Sequence, residues 1–121
     1  MQRDLKECTK KFALRIIKLY TALPRRGDAQ VLGNQILKSG TSVGAHYREA
    51  CRAKSDADFI SKIEGALQEL DETLYWLELI GEAEILPGKR LKPLHSEAGE
   101  LMAILVTIVT KVKRKDPKRG R

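Results

Sequence analysis

The chain is poor in the residues that mark many specialised proteins. It has two cysteines, Cys8 and Cys51, with no C-x-x-C spacing and no His pair beside them. That argues against a zinc finger or a disulfide framework, and suits two buried thiols in a reducing compartment. Aromatics are only 5% of the residues, so a core has to be built from Leu, Ile, Val and Ala. Those residues, with four prolines in 121 positions, favour packed helices over strands. The longest apolar run ends at Val106 and is far too short to span a bilayer. Met1-Gln2-Arg3-Asp4 opens no apolar stretch of the signal-peptide kind. The expectation is a cytoplasmic protein without a membrane partner.

Catalytic patterns are missing too. His46 and His95 are far apart, and no motif supplies a nucleophile with a base and an orienting group. Glu69, Asp71 and Glu72 crowd one segment, but the Glu-x-x-His pattern of bundle metal sites does not occur. The glycines form no Walker loop. The reading is a protein with no catalytic residue, no metal and no cofactor.

What the chain does have is helical period. Apolar residues make up 42% and charged residues 32%, ordinary values for a globular domain. From about Asp4 to Leu23, apolar residues Leu5, Cys8, Phe12, Ile16, Leu19 and Leu23 recur every three or four positions. Pro24-Arg25-Arg26-Gly27 breaks this first segment. A second runs from about Asp28, a candidate N-cap, to Ala53, with Leu32, Ile36, Ser39, Val43 and Ala50 on one stripe. A third starts at a Ser55/Asp58 capping pattern and stops near Gly81. It carries the most regular seam: Ile60, Ile63, Leu67, Leu70, Leu74 and Leu77. A fourth follows Pro87-Gly88, with Pro93 expected in its first turn, and repeats the pattern through Leu94, Ala98, Leu101, Leu105, Ile108 and Val112. The fold class is all-α, an antiparallel up-down-up-down four-helix bundle over residues 1–113 with a basic tail at 114–121. A dimer of helical hairpins stays open.

Some residues do not fit that plan. Gly33, Leu37, Gly40 and Gly44 make a second stripe on the second helix. Each helix-interior glycine costs about 1 kcal/mol, so either another backbone approaches that face or the helix breaks near Gly40. Apolar residues also fall off the core stripes: Leu14 and Ile17, Trp76 and Ile80, and Met102, Val106 and Val109. With Gly40 and Gly44 they are the candidate oligomer contacts, and Trp76 leads because Trp dominates interface energetics. The competing reading is a wider intramolecular core.

Charge is unevenly spread. Residues 1–54 hold 12 Lys/Arg against 4 Asp/Glu, residues 55–110 hold 4 against 11, and residues 111–121 hold 7 against one. A basic segment beyond the last apolar residue suits phosphate backbones. The candidate nucleic-acid residues are Lys10, Lys18, Arg25, Arg26, Arg48, Arg52 and Lys54, then Lys113, Arg114, Lys115, Lys118, Arg119 and Arg121. Aromatics are not interleaved with them, so shape and backbone would be read rather than base sequence. A protein-interaction scaffold without a nucleic-acid role is the alternative.

Three stretches carry a family resemblance. They are Ser39-Gly-Thr-Ser-Val-Gly-Ala-His-Tyr-Arg-Glu-Ala-Cys-Arg52 with Ser55-Asp-Ala-Asp-Phe-Ile60, then Leu67-Gln-Glu-Leu-Asp-Glu-Thr-Leu-Tyr-Trp-Leu-Glu-Leu-Ile80, and Glu100-Leu-Met-Ala-Ile-Leu105. The chain resembles the four-helix-bundle proteins encoded by intervening sequences in bacterial 23S ribosomal RNA genes. The resemblance implies a left-handed antiparallel bundle, a homopentamer and no catalytic residues. It also implies kinship with the accessory protein of diversity-generating retroelements, a basic pentamer that binds nucleic acid and a reverse transcriptase. The family usually has Asn where this chain has His46.

Overall fold

A computed structural model describes residues 4–115. Four helices follow in order: α1 (Leu5–Ala22), α2 (Gly27–Cys51), α3 (Asp56–Glu82) and α4 (Gly88–Arg114). Cross-helix contacts run in opposite senses along each neighbouring pair. Gly33 meets Tyr20 while Gly44 meets Thr9; Ser39 bonds Thr73 while His46 reaches Glu69; Lys113 pairs with Glu64 while Gly81 meets Leu91. The chain is therefore an antiparallel four-helix bundle, and α1 and α4 close it through Arg15 and Glu97. None of the four is long and apolar enough to cross a membrane.

Local chemistry sets the helix ends. The Asp4 side chain accepts from the Glu7 N–H, and the Ser55 hydroxyl accepts from the Asp58 N–H at 3.0 Å, as its sequence pattern predicts. Asp28 is not the cap of α2. The helix starts at Gly27 after Arg26, and Asp28 works from inside the first turn. Its Oδ1 accepts from the Ala29 N–H at 2.8 Å and from Arg26 Nε at 2.9 Å, placing a negative charge at the positive end of the helix dipole. The start of α4 also differs from expectation. It begins at Gly88, so Pro93 is its sixth residue. The missing N–H removes one helical bond near an exposed end, where the orphaned carbonyl of Lys89 can reach water.

Gly81 does not end α3. The last helical residue is Glu82, and the left-handed position is taken by Glu84, with φ 58°. The Ile85 N–H donates to the Ile80 carbonyl, and the Glu84 N–H to the Gly81 carbonyl, both at 3.0 Å. This is a Schellman closure with a non-glycine residue in the strained position. Ile80 and Ile85, both buried, supply the apolar contact across it.

Packing turns on the glycine stripe of α2. The helix is continuous through Gly40, so the stripe marks close approach and not a break. A Cβ on Gly40 would lie 2.7 Å from Ile16 Cγ1, and one on Gly44 would lie 3.1 Å from Thr9 Oγ1. Because the buried face of α1 turns toward these glycines, Thr9 is fully buried, while the predicted stripe members Cys8 and Leu23 are only half-buried. The Thr9 hydroxyl donates to the Leu5 carbonyl at 2.6 Å. A similar rotation affects α3: Ala66, Thr73 and Ile80 are buried, and the predicted Leu67 and Leu74 lie half-buried at the edge. On α4, Leu91 and Val109 take the buried places expected of Ile108 and Val112. One polar pair sits in this core. The Thr73 hydroxyl donates to the Glu69 carbonyl at 2.8 Å and accepts from Ser39 Oγ at 2.8 Å.

Two substitutions test this description. Gly40→Ala gains about 1 kcal/mol of helix propensity but forces a methyl onto buried Ile16, at about 1–3 kcal/mol. Urea unfolding should show a net loss of about 1 kcal/mol. Glu84→Gly relieves the left-handed strain and should gain about 1 kcal/mol, raising the thermal midpoint by about 4 °C.

Candidate nucleic-acid interface

Antiparallel packing sorts the basic residues into two groups at opposite ends. At one end lie the C-termini of α2 and α4 and the N-termini of α1 and α3. Arg48, Arg52 and Lys54 are exposed there, together with Lys111, Arg114 and Lys115, while Lys113 is half-buried. Cations in the last turns of α2 and α4 sit against the negative ends of those helix dipoles, which partly explains them locally. Lys113 also pairs with Glu64 at 2.8 Å, and Lys10 with Glu7 at 3.3 Å. Arg48, Arg52, Lys54, Arg114 and Lys115 have no ion pair among the described residues. With Lys6 and Lys111, also exposed and without an ion pair among the described residues, they are free cations of this end. Lys118, Arg119 and Arg121 lie outside the described residues, and Arg114, assigned from sequence to the tail, still belongs to α4.

Lys18, Arg25 and Arg26 are at the other end. They cannot join the first group, because a helix of 25 residues separates the ends by about 35 Å. Arg26 is held by Asp28. Here the fold adds residues that the sequence reading passed over. Arg90 on α4 and Arg15 on α1 line one recess with Lys18, and Arg15 is held by Glu97. The Lys89-Arg90-x-Lys92 run was visible in sequence, but it stood inside a segment that is acidic on average.

The remaining candidates divide as well. Gly40, Gly44, Ile80 and Val109 are buried inside the protomer and are not oligomer contacts. The first two receive α1, and the last two complete the core. Trp76 is half-buried against that core, as is Met102. Leu14, Ile17 and Val106 are exposed, with 56%, 41% and 46% of their surface open. Val31 and Tyr75 are exposed too and were missed. The crowded carboxylates of α3 diverge: Glu69 faces His46 of α2, while Asp71 lines the α3/α4 groove. Among the described residues no three His, Cys, Asp or Glu side chains gather to hold a metal.

His46 bridges α2 and α3. Its Nδ1 lies 3.3 Å from Glu49 Oε1 and its Nε2 3.7 Å from Glu69 Oε2. Gly65 makes room for the ring, since a Cβ there would lie 3.2 Å from Nδ1. Next to His46 on α2, the Tyr47 phenol is pushed up to about 12, first by burial, then by the Cys51 thiol one turn on and by Asp4. The folded chain therefore holds this proton more tightly than the unfolded chain, whose phenol titrates near 10.0. The resulting stability is complete below pH 10 and is lost as pH rises toward 12. Urea unfolding across that range should show wild type losing stability more steeply than Tyr47→Phe. Parallel curves would mean that the phenol is not held this way.

Comparison with known proteins agrees with the geometry. No curated protein matches the chain. A crystal structure of a protein of unknown function from the S23 ribosomal protein family of Bacteroides thetaiotaomicron superposes with a TM-score of 0.81. It is 40% identical, over 86% of this chain and 96% of that one. The family model described as 23S rRNA-intervening sequence protein matches residues 2–107, and the chain belongs to that family.

Proposed function

We propose that the protein is a non-enzymatic, oligomeric nucleic-acid-binding protein for structured RNA. The observation that carries this is the end of the bundle where Arg48, Arg52, Lys54, Arg114 and Lys115 stand without ion pairs among the described residues. The sequence continues from that end with three more cations, Lys118, Arg119 and Arg121. Cations on two different helices and a loop offer a surface to phosphates. With no aromatic interleaved, the surface would follow backbone shape. The family name points to ribosomal RNA as the context.

Assembly strengthens this reading. The homopentamer expected from the resemblance would hold the five basic ends at one height along the ring axis and at one distance from it, because cyclic symmetry relates the copies by rotation alone. Five such ends would raise the local potential well above that of one. A reverse transcriptase is the further partner that the retroelement relative suggests. The apolar groove between α3 and α4 also supports a second reading, a protein-interaction scaffold with no nucleic-acid role.

A fluorescence-anisotropy titration against a structured RNA, repeated over a salt series, separates the two. The RNA reading expects a steep fall of log K with log salt. Replacing Arg48, Arg52, Lys54, Arg114 and Lys115 with Ala should flatten the slope by about 0.9 for each phosphate contact removed. Replacing Lys18, Arg25 and Arg90 at the far end should leave it in place. No binding at low salt would overturn the RNA reading in favour of the scaffold.

A further inference from the structure

Gly99 lies in the middle of α4, where a glycine costs about 1 kcal/mol relative to alanine. Every other glycine deep inside a helix meets a neighbour: Gly33, Gly40 and Gly44 meet α1, and Gly65 meets His46. A Cβ on Gly99 would meet nothing within 4 Å. The protomer gives no packing reason for this glycine, and it is exposed.

Its position is informative. At the helical spacing His95, Gly99, Met102, Val106, it shares one side of α4 with the residues that line the groove against α3. The apolar floor of that groove is Leu67, Leu74, Met102 and Val106, and its α3 rim carries Asp71, Glu72 and Glu78, with Glu64 already paired to Lys113 at one end. A glycine beside an open apolar groove lets another helix come close.

The same chain has a matching helix face. On the outer side of α1, Leu14 and Ile17 are exposed, and Lys10 and Lys18 lie one turn away on either side. Lys18 has no ion pair among the described residues, and Lys10 has only a surface pair with Glu7. Apolar residues bounded by lysines complement an apolar floor bounded by carboxylates. Pairing groove with groove would set carboxylates against carboxylates, and pairing α1 with α1 would set lysines against lysines.

We propose that the α3/α4 groove of one copy seats the outer face of α1 of the next copy, with Gly99 as the point of closest approach. The inference rests on the oligomeric reading above and specifies it. The two surfaces differ, so the contact is heterologous and propagates around a ring.

Two double variants test it, with mass read by light scattering and folding by circular dichroism. Leu14→Glu with Ile17→Glu puts carboxylates on α1 opposite the acidic rim. Gly99→Lys with Val106→Lys puts lysines in the groove opposite those of α1. All four positions are exposed, so both variants should fold, and each alone should be monomeric. Mixed one to one, they should associate, because the intact groove of the first accepts the intact α1 of the second and the lysines in the other groove face the new carboxylates. Gly99→Ala should leave folding no weaker yet raise the concentration for half-assembly about tenfold, as overpacking at a close contact would. An oligomeric wild type whose mass neither double variant changes, or a mixture that stays monomeric, overturns this inference alone. A monomeric wild type overturns the oligomeric reading with it.

Discussion

The close contact between α1 and α2 is the constraint from which the rest of the bundle follows. Three glycines remove the side chains that would hold the two helices at an ordinary distance, and Ile16, Thr9 and Tyr20 move into the space. Once α1 leans on that face, its buried stripe is rotated, and Arg15 is turned toward Glu97 of α4. On its other side α2 presents Ser39 and His46 to α3. The glycines thus exchange helix propensity for a tight pair on which the other two helices are placed.

Much of this was legible in the sequence because a period of three and four residues is a strong signal. The four helices, the Ser55 cap and the stop at Pro24 came from local chemistry. What sequence alone could not supply was the direction in which each stripe faces. Leu67 and Leu74 look like core residues beside Leu70, but α3 has a neighbour on each side and packs more deeply toward α2, so Ala66 and Thr73 are buried instead. The same ambiguity placed Ile80 and Val109 on an outer face when they close the core. The end of α3 was misplaced for another reason: a glycine is the usual left-handed residue, and nothing marks Glu84 as the one that adopts this conformation.

The candidate interface was half legible. Charge counts along the chain pointed to basic segments, yet charge is recruited by position in space. Antiparallel connections bring residues 48–54 to the same end as the C-terminus of α4 and send Arg25 to the opposite end. They also place Arg90, from an acidic stretch, beside Lys18. An average over sequence cannot show such regrouping. Glycine was the more telling residue: four positions deep inside helices mark contacts within the protomer, and Gly99 stands apart from them because a Cβ there would meet nothing within 4 Å.

The hydroxyl pair Ser39–Thr73 acts as a ruler between α2 and α3. Sliding one helix past the other by a turn, about 5.4 Å, would leave Ser39 Oγ facing hydrocarbon instead of Thr73. Apolar contacts tolerate such a slip because one aliphatic layer resembles the next; a single polar layer does not. The pair therefore fixes the longitudinal alignment of the two helices, and with it the level at which the acidic start of α3 stands against the basic end of α2. A charge pattern at the tip of the molecule is in this sense calibrated by two hydroxyl groups near its middle.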